Sequence, residues 1–317
     1  MSILLRESDV ARLATMKMAL EVVEVAFKLQ ADAAAQNTPR RRCRVDKGVL
    51  HVMSASVPAM GVAGLKSYTT VSGHNRFHVL LYSADTGDLL AVMEADRLGQ
   101  LRTGAASGVA TKYMSRPDSS RLGILGTGWQ ARGQLEAICA VRPIKTVAAY
   151  GRNPERREAF CREMTEHLGI GVCPAATPEE ATRGMDIVVT ATTAREPVLL
   201  GEWLSPGTHV NAVGSNFLSK QEIDVETVRR AACVIVDSAE QAQMESGDLA
   251  RAAEAGAFFW EDARELGDVI SGEFPGREDG AEITLFESQG IALEDIALAA
   301  EIYRVARIAK AGQLLPF

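Results

Sequence analysis

The segment Leu122–Ala131, LGILGTGWQA, decides the fold expected of this chain. A short apolar run leads into Gly126, Gly128 and Ala131, which have GxGxxA spacing and open a helix-like stretch. Gly126 permits a tight turn, Gly128 lets backbone amides approach a pyrophosphate, and Ala131 lets the helix pack against the strand. A second strand-like run ending at Tyr150 completes a βαβ unit whose helix N-terminus faces the anion. The segment therefore predicts a dinucleotide-binding Rossmann fold.

Beyond this loop the sequence alternates short apolar strands with helical segments. Such alternation is typical of a doubly wound parallel sheet with helices on both faces. We therefore predict an α/β dinucleotide-binding domain over residues 119–292. Its predicted strands are RLGIL from Arg121, TVAAY from Thr146, DIVVTAT from Asp186, THVNAV from Thr208 and CVIVD from Cys233.

Residues 1–118 have a different pattern, that of an α+β domain. The segment Asp85–Asp88 supplies a hairpin turn between two strand-like runs. Adjacent antiparallel strands need no crossover helices, so this part is predicted to be a separate domain. The strand-like pieces lie at residues 3–5, 42–46, 49–54, 64–70, 78–83 and 89–94.

Helical segments frame these strands. A first helix is predicted to be capped by Ser8 or Asp9, and a second covers Lys17–Gln30. A helix over Thr103–Tyr113 is rich in small residues, which allow close packing. A last helix, residues 293–311, lies beyond the parallel sheet, and we expect residues 293–317 to return to the first domain.

Composition excludes several classes of protein. The net charge of -7 argues against nucleic acid, because phosphate binding needs clustered Lys and Arg. The N-terminal segment contains acidic residues and no long apolar run, so neither a signal peptide nor a membrane span is expected. Five cysteines without a CxxC pair and five histidines without ligand spacing predict a reducing, cytoplasmic location and no metal site. A small-molecule partner fits this composition best.

The end of the second predicted strand bears on the choice of dinucleotide. An acidic residue there binds the ribose hydroxyls of NAD and repels the 2′-phosphate of NADP. Here the strand ends at Tyr150 without an acid, and Arg152 and Arg156 follow. This pattern favours NADP(H) over NAD(H). Alternatively, both arginines are solvated residues at a helix start, and Glu155 turns inward.

Several stretches occur in a characteristic order along the chain: Gly64–Lys66, Asp85–Gly87, Arg102–Tyr113 with the following GILGTGWQA, Val210–Gly214, Lys220–Glu222 and Glu282–Gly290. Together they resemble the ornithine cyclodeaminase and mu-crystallin family. That family contains cyclodeaminases, ketimine and pyrroline-2-carboxylate reductases, an alanine dehydrogenase and iminosuccinate reductases. The resemblance implies chemistry at the Cα–N bond of amino acids, a nicotinamide cofactor, and a homodimer joined through the N-terminal domain, which also binds substrate.

The resemblance also implies roles for residues of the substrate site. Lys66 and Arg102 match residues that hold the substrate carboxylate, and a fixed cationic pair orients an α-imino acid well. A further arginine should come from the Arg40–Arg44 run. Arg40 matches by spacing, but strand alternation places Arg40, Arg42 and Arg44 on one face, so the choice stays open.

Two positions depart from the cyclodeaminase pattern. His51 stands where cyclodeaminases carry a glutamate that helps to bind the amine, although a structural histidine fits equally well. Asn216 stands where they carry an acid/base aspartate, and an amide does not titrate in the accessible range. Asn216 could orient a substrate N–H or simply cap the turn before Lys220.

The resemblance places cofactor contacts at six positions. Thr192 belongs to this set and would lie at the carboxyl end of a parallel strand, where ligands of open α/β sheets bind. With the glycine loop and the two arginines, these positions form the expected cofactor site. The six residues are Trp129, Gln130, Thr192, Val213, Lys220 and Ser288.

The expected function is NAD(P)H-dependent reduction of an α-imino acid to an L-amino acid, or the reverse dehydrogenation. The basic cluster with His51 leaves room for a second carboxylate, as in iminosuccinate. An apolar pocket from Met53, Val57 and Met60 would instead suit a pyrroline or piperideine ring. The alternatives are a cyclodeaminase and a non-catalytic, cofactor-dependent ligand-binding protein.

Overall fold

The computed structural model describes residues 2–316. The chain divides into two compact units: one contains the residues up to Ala105 together with those from Gly290 onward, and the other is Ala106–Gln289. The sequence predicted boundaries after residue 118 and before residue 293. In the structure the first division lies between Ala105 and Ala106, inside the helix Asp96–Met114. Substrate binding and dimer formation by the first unit remain predictions.

The secondary structure follows the predicted α+β and α/β patterns. The strands in residues 2–316 are β1 Ile3–Leu5, β2 Gln36–Val45, β3 Gly48–Val57, β4 Val62–Val71, β5 His74–Ser83, β6 Leu89–Glu94, β7 Arg121–Leu125, β8 Thr146–Tyr150, β9 Gly171–Pro174, β10 Ile187–Thr190, β11 His209–Ala212, β12 Ala231–Val236, β13 Arg264–Glu265, β14 Ile283–Glu287 and β15 Gln313–Leu314. The α-helices there are α1 Glu7–Leu13, α2 Met16–Ala31, α3 Asp96–Met114, α4 Trp129–Val141, α5 Pro154–Leu168, α6 Val225–Arg230, α7 Ala239–Glu245, α8 Gly247–Glu254, α9 Leu266–Ser271 and α10 Ala292–Ala309.

The first unit is built on a sheet of seven strands in the order β15-β1-β6-β5-β4-β3-β2 within the described chain. Strands β2 to β6 form an antiparallel meander, so the predicted hairpins are confirmed, although each of β2 to β5 is longer than predicted. One face of the sheet, here called the inner face, is buried under α10, which also packs against α2. At Gly64 a Cβ atom would lie 2.7 Å from Cδ1 of Ile296, so only glycine allows this close approach of α10 to β4.

The opposite, outer face of this sheet contains a half-buried row of apolar residues. Leu4, Val92, Leu80 and Leu65 are paired in register across β1, β6, β5 and β4. A continuous apolar row of this kind is typical of a surface that another protein covers.

The second unit contains a parallel sheet of eight strands in the order β13-β12-β14-β11-β10-β7-β8-β9 within residues 2–316. The chain starts at β7, moves outward through β8 and β9, and returns to β10 on the other side of β7. This reversal creates a topological switch point beside the carboxyl end of β7, where dinucleotides bind in such sheets. The predicted doubly wound fold is therefore confirmed. Strand β14, which was not among the predicted strands, lies between β12 and β11.

One predicted cap is wrong. Helix α1 begins at Glu7 with Arg6 as its N-cap, not with Ser8 or Asp9. Asp9 lies inside the first turn, where its carboxylate accepts a hydrogen bond from the Arg6 amide at 3.2 Å. None of the helices in residues 2–316 combines the length and apolar composition that crossing a membrane requires.

Candidate functional site

The glycine loop after β7 has the geometry that a pyrophosphate needs. Gly126 has a φ of +117°, and a Cβ atom there would lie 2.3 Å from the carbonyl oxygen of Ala191. Gly128 is the N-cap of α4, it provides no side-chain cap, and a Cβ there would meet no described atom within 4 Å. Trp129 begins α4 and is 46% exposed, while Ala131 is fully buried. The uncapped N-terminus of α4 therefore presents backbone amides toward open space, which fits a dinucleotide phosphate.

The tip of β8 presents two arginines to solvent. Arg152 and Arg156 are both exposed, and Glu155 is exposed as well, so it does not turn inward. Arg157, which the sequence analysis did not single out, instead contacts the strand end: its Nη1 donates to the carbonyl oxygen of Gly151 at 3.2 Å. Arg152 and Arg156 are thus accessible to solvent beside the end of β8.

The loop after β11 holds Asn216 in a fixed position. Nζ of Lys220 donates to Oδ1 of Asn216 at 2.7 Å and to the carbonyl oxygen of Gly214 at 3.0 Å. The amide of Val213 donates to the carbonyl oxygen of Thr190 at 3.0 Å. Glu222 accepts hydrogen bonds from the amides of Thr192 and Gly214 and so adds Thr192 to the same group. Four predicted site residues therefore belong to one cluster of contacts at the carboxyl ends of β10 and β11: Thr192, Val213, Asn216 and Lys220.

Ser288 lies immediately after β14 and is buried. Its hydroxyl donates to Oδ2 of Asp237 at 3.1 Å, and the amide of Gln289 donates to the same oxygen at 2.8 Å. Asp237 follows β12 directly and was not recognised from the sequence as a partner of this site. It fixes the end of β14 beside the end of β12.

In the first unit, the predicted carboxylate-binding cations meet two buried acids of α10. Nζ of Lys66 donates to Oδ1 of Asp295 at 2.7 Å. Arg102 donates from Nη1 to Oε2 of Glu294 at 2.8 Å, and its Nε lies 3.2 Å from Oδ1 of Asp295. Arg40 is also buried, and its Nη2 donates to the carbonyl oxygen of Gly290 at 2.8 Å. The neighbouring acids therefore hold both predicted cations in defined positions.

Buried basic side chains outnumber buried acidic ones among the described residues of this unit. The buried cations there are Arg40, Lys66 and Arg102, and the buried carboxylates are Glu294 and Asp295. Buried charges are stable only when they are paired. A cluster of this composition favours a bound anion such as a carboxylate.

Lys66 titrates close to neutrality. Its pKa is lowered to about 8, chiefly by burial; Asp295 raises the pKa, and Arg102 and Arg40 lower it. An arriving substrate carboxylate would favour the ammonium form in the same way as Asp295 does. Lys66 can thus bind an anion when it is protonated and can exchange a proton near physiological pH.

The arginine run has one buried member. Strand β2 has a bulge just before Arg41, which breaks the simple alternation. Arg40 is buried, Arg42 is half-buried, and Arg44 is exposed. Burial and the contact with Gly290 favour Arg40 as the substrate arginine that the sequence left open.

His51 lies one row further along the inner face. Its ring stacks on Tyr68 with centroids 4.1 Å apart and planes 3° from parallel, and its register partner on β2 is Arg42. Burial lowers the pKa of His51 to about 4, and Arg42 and Arg40 contribute to this lowering. His51 is therefore neutral at physiological pH. Met53, fully buried in the adjacent row, pairs in register with Lys66.

Glu294 and Asp295 were not predicted as site residues, because acidic residues near a helix start are usually exposed to solvent. Their position within ALEDIALAA, where apolar residues surround both acids, is the sequence signal that could have indicated their burial. No group of three or more potential metal-ligating side chains occurs within the part of the chain that the structure describes.

Residues 2–310 match the profile of the ornithine cyclodeaminase/mu-crystallin family. The chain belongs to this family. Alanine dehydrogenase of Archaeoglobus fulgidus is 37% identical over 324 residues, which cover 100% of this chain and 98% of that protein.

Two solved structures of family members extend the comparison. The structure of Thermococcus litoralis Δ1-pyrroline-2-carboxylate reductase in complex with NADH and L-proline has a TM-score of 0.95 and 37% identity, and the match covers 99% of this chain and 100% of that chain. An archaeal alanine dehydrogenase dimer with bound NAD has a TM-score of 0.94 and 38% identity, with 100% and 99% coverage. The predicted family, Rossmann fold and oxidoreductase class are confirmed.

Proposed function

We propose that this family member is an NAD(P)H-dependent reductase of α-imino acids that also catalyses the reverse oxidation of the L-amino acid. The observation that carries the proposal is the buried set of basic side chains Arg40, Lys66 and Arg102, two of which are held by Asp295 and Glu294. Such a set suits a substrate carboxylate. Relatives named for pyrroline-2-carboxylate reduction and alanine dehydrogenation support the same chemistry.

The residues of the chain would orient the substrate and provide positive charge for its carboxylate. A bound nicotinamide cofactor would supply the hydride that the imine carbon accepts. Lys66 and Arg102 would hold the carboxylate, because Asp295 and Glu294 fix their positions before the substrate arrives. Preorganised charge of this kind costs no reorganisation during the reaction.

Asn216 separates this chain from cyclodeaminases. Its side chain accepts a hydrogen bond from Lys220 and cannot take a proton from a substrate amine. His51, neutral and stacked on Tyr68, replaces the glutamate that the family resemblance assigns to cyclodeaminases. A reductase tolerates both changes, since an imine that arrives protonated is already the better hydride acceptor. Asn216 would orient that N–H through its oxygen.

For the substrate we propose an imine with one carboxylate and a compact apolar side chain, such as Δ1-pyrroline-2-carboxylate or the imine of pyruvate. The fully buried Met53 and Val57 support this choice. Iminosuccinate is the second candidate, because Arg42 pairs in register with His51 in the adjacent row and could receive a second carboxylate.

For the cofactor we propose a preference for NADP(H). Exposed Arg152 supports it, and no acid stands at the tip of β8 to repel a 2′-phosphate. Relatives of known structure hold NADH or NAD, so the arginine is the specific feature that would distinguish this chain.

For the assembly we propose a homodimer through the outer face of the seven-stranded sheet. The row Leu4, Val92, Leu80 and Leu65 supports it, and a related alanine dehydrogenase is a dimer. Burial of such a row is favourable at about 25 cal/mol per Å² of apolar surface.

A panel of imines tests the proposed function. Oxidation of NADPH and NADH is followed at 340 nm with Δ1-pyrroline-2-carboxylate, Δ1-piperideine-2-carboxylate, pyruvate plus ammonia, and oxaloacetate plus ammonia. We expect turnover with at least one imine that has a single carboxylate. Cofactor binding without turnover of any of the four would instead identify a ligand-binding protein.

A further inference from the structure

Glu222 connects two strand ends through its side chain. It is fully buried in the loop between β11 and α6. Oε2 accepts hydrogen bonds from the Thr190 hydroxyl at 2.8 Å and from the Gly214 amide at 2.6 Å, and Oε1 accepts one from the Thr192 amide. A single carboxylate thus joins the end of β10 to the residue that follows Val213.

The fit around this carboxylate is tight. A Cβ atom at Gly214 would lie 2.5 Å from Cδ of Glu222 and 2.3 Å from the carbonyl oxygen of Thr192. Only glycine leaves room for the carboxylate at this point, so the glycine and the glutamate depend on each other.

The backbone of Glu222 is itself anchored. Its amide and that of Ile223 donate to Oδ1 of Asp248 at 2.8 and 3.1 Å. The amide of Asp248 donates in turn to the Ser215 hydroxyl at 3.1 Å. Because Asp248 lies in the first turn of α8, the helix fixes the loop from which Glu222 reaches the strand ends.

From these contacts we infer that Glu222 is a positioning residue for the cofactor, which sets the spacing between Thr192 and Val213 by binding the amides of Thr192 and Gly214. The inference rests on the proposed function together with the family resemblance, which assigns Thr192 and Val213 to the cofactor site. The Glu222 side chain does not need to touch the cofactor. Its contribution is to hold two loops in the arrangement that the ligand requires.

The substitution Glu222→Gln makes a specific test. A carboxylate accepts hydrogen bonds on both oxygens, whereas an amide accepts on one atom and donates from the other. Either orientation of the glutamine therefore removes the acceptor of one backbone amide, that of Thr192 or that of Gly214. Since a buried amide without an acceptor is costly, the loop has to move.

The chain offers a matched control at the opposite end of the same region. Asp186, just before β10, is a buried carboxylate whose Oδ2 accepts from the amides of Ser120 and Arg121, both at 2.9 Å. Asp186→Asn perturbs backbone amides in a similar way, but far along the strand from Thr192. Any effect that both variants share is therefore structural.

The experiment titrates NADH and NADPH into the wild type and each variant and records the dissociation constant by nucleotide fluorescence, with circular dichroism and thermal melting on the same samples. We expect Glu222→Gln to raise the cofactor dissociation constant at least tenfold, with the substrate KM at saturating cofactor within twofold of wild type. Asp186→Asn should lower the melting temperature and leave the cofactor dissociation constant within twofold.

The outcomes separate the inference from the proposed function. Wild-type protein that binds neither nucleotide would refute the proposed function. Wild-type binding together with an unchanged constant for Glu222→Gln, or an equal loss in Asp186→Asn, would overturn the inference alone. If Glu222→Gln does not fold, Thr190→Val decides the question: loss of one donor to the carboxylate should weaken cofactor binding about threefold, and unchanged binding overturns the inference.

Discussion

The substitution Asp295→Asn tests the electrostatic account of the substrate site. Asp295 is fully buried, and its Oδ1 lies 2.7 Å from Nζ of Lys66 and 3.2 Å from Nε of Arg102. Its charge raises the pKa of Lys66, which burial, Arg102 and Arg40 together lower to about 8. Asparagine keeps the shape and a hydrogen-bond acceptor but removes the charge. The pKa of Lys66 should therefore fall below its wild-type value.

The size of the effect follows from the distance. An opposite charge this close changes the pKa of its neighbour by about one to three pH units. With the smallest change, Lys66 in the variant would be mostly neutral at pH 8, whereas half of the wild-type molecules would carry the ammonium. Affinity for a carboxylate at that pH should then fall roughly fivefold to tenfold, and a larger fall in the pKa of Lys66 should give a larger loss of affinity.

The expected change of carboxylate affinity with pH also has a definite direction. Lys66 binds the anion in its protonated form, so wild-type affinity should be constant below pH 8 and fall above it. The variant should show the same profile displaced to lower pH, and it should recover wild-type affinity or exceed it in acid, where Lys66 is protonated and one negative charge is missing. His51, with a pKa of about 4, does not titrate in this range.

The assay uses pyrrole-2-carboxylate as a competitive inhibitor, because its ring does not titrate between pH 5.5 and 9.5. Glu301→Gln is the control, since Glu301 lies on the same helix and pairs with exposed Arg304. Its inhibition profile should match that of wild type. Tighter inhibition of Asp295→Asn across the whole range, as expected if Asp295 only repels the ligand, would refute the reasoning.

Three further predictions concern the substrate-binding cations, the cofactor preference and the dimer. Lys66→Ala and Arg102→Ala should each reduce kcat/KM for the imine by about a hundredfold or more while the NADPH dissociation constant changes little; near-wild-type activity in steady-state kinetics would remove that residue from the site. Arg152→Asp should reverse a preference for NADPH of at least about tenfold, equivalent to about 1.4 kcal/mol, and a wild-type enzyme that prefers NADH by that factor would contradict the role of this arginine. Leu65→Asp places a charge in the outer apolar row and should convert the dimer into a monomer in light scattering after size-exclusion chromatography; a wild-type monomer would disprove the proposed assembly.

Local patterns were sufficient to predict most of the fold. The loop Leu122–Ala131 combines a strand, a glycine turn and a helix start, and all three depend on nearby residues alone. The antiparallel meander could be predicted because buried and exposed positions alternate along β3 to β5, where one face of the sheet is buried. By contrast, β14 is a five-residue buried strand placed between β11 and β12, and its position depends on tertiary pairing that no local pattern contains.

The same limit applies to the site. Lys66 and Arg102 could be named by resemblance, but their partners lie about two hundred residues away on α10, and only the fold brings them together. Glu294 and Asp295 look like ordinary charges at a helix start, and only their surroundings make them buried partners. Glu222 was visible as part of a motif, whereas its contacts with two strand ends required the structure.

We predict that the chain reduces imines and does not release ammonia from ornithine. The direct test compares initial rates of NADPH and NADH oxidation with Δ1-pyrroline-2-carboxylate with ammonia release from L-ornithine plus NAD on the same preparation. We expect measurable imine reduction and no appreciable conversion of ornithine, because Asn216 cannot accept the amine proton. Ammonia release from ornithine at a rate comparable with imine reduction would contradict it and place the enzyme among the cyclodeaminases.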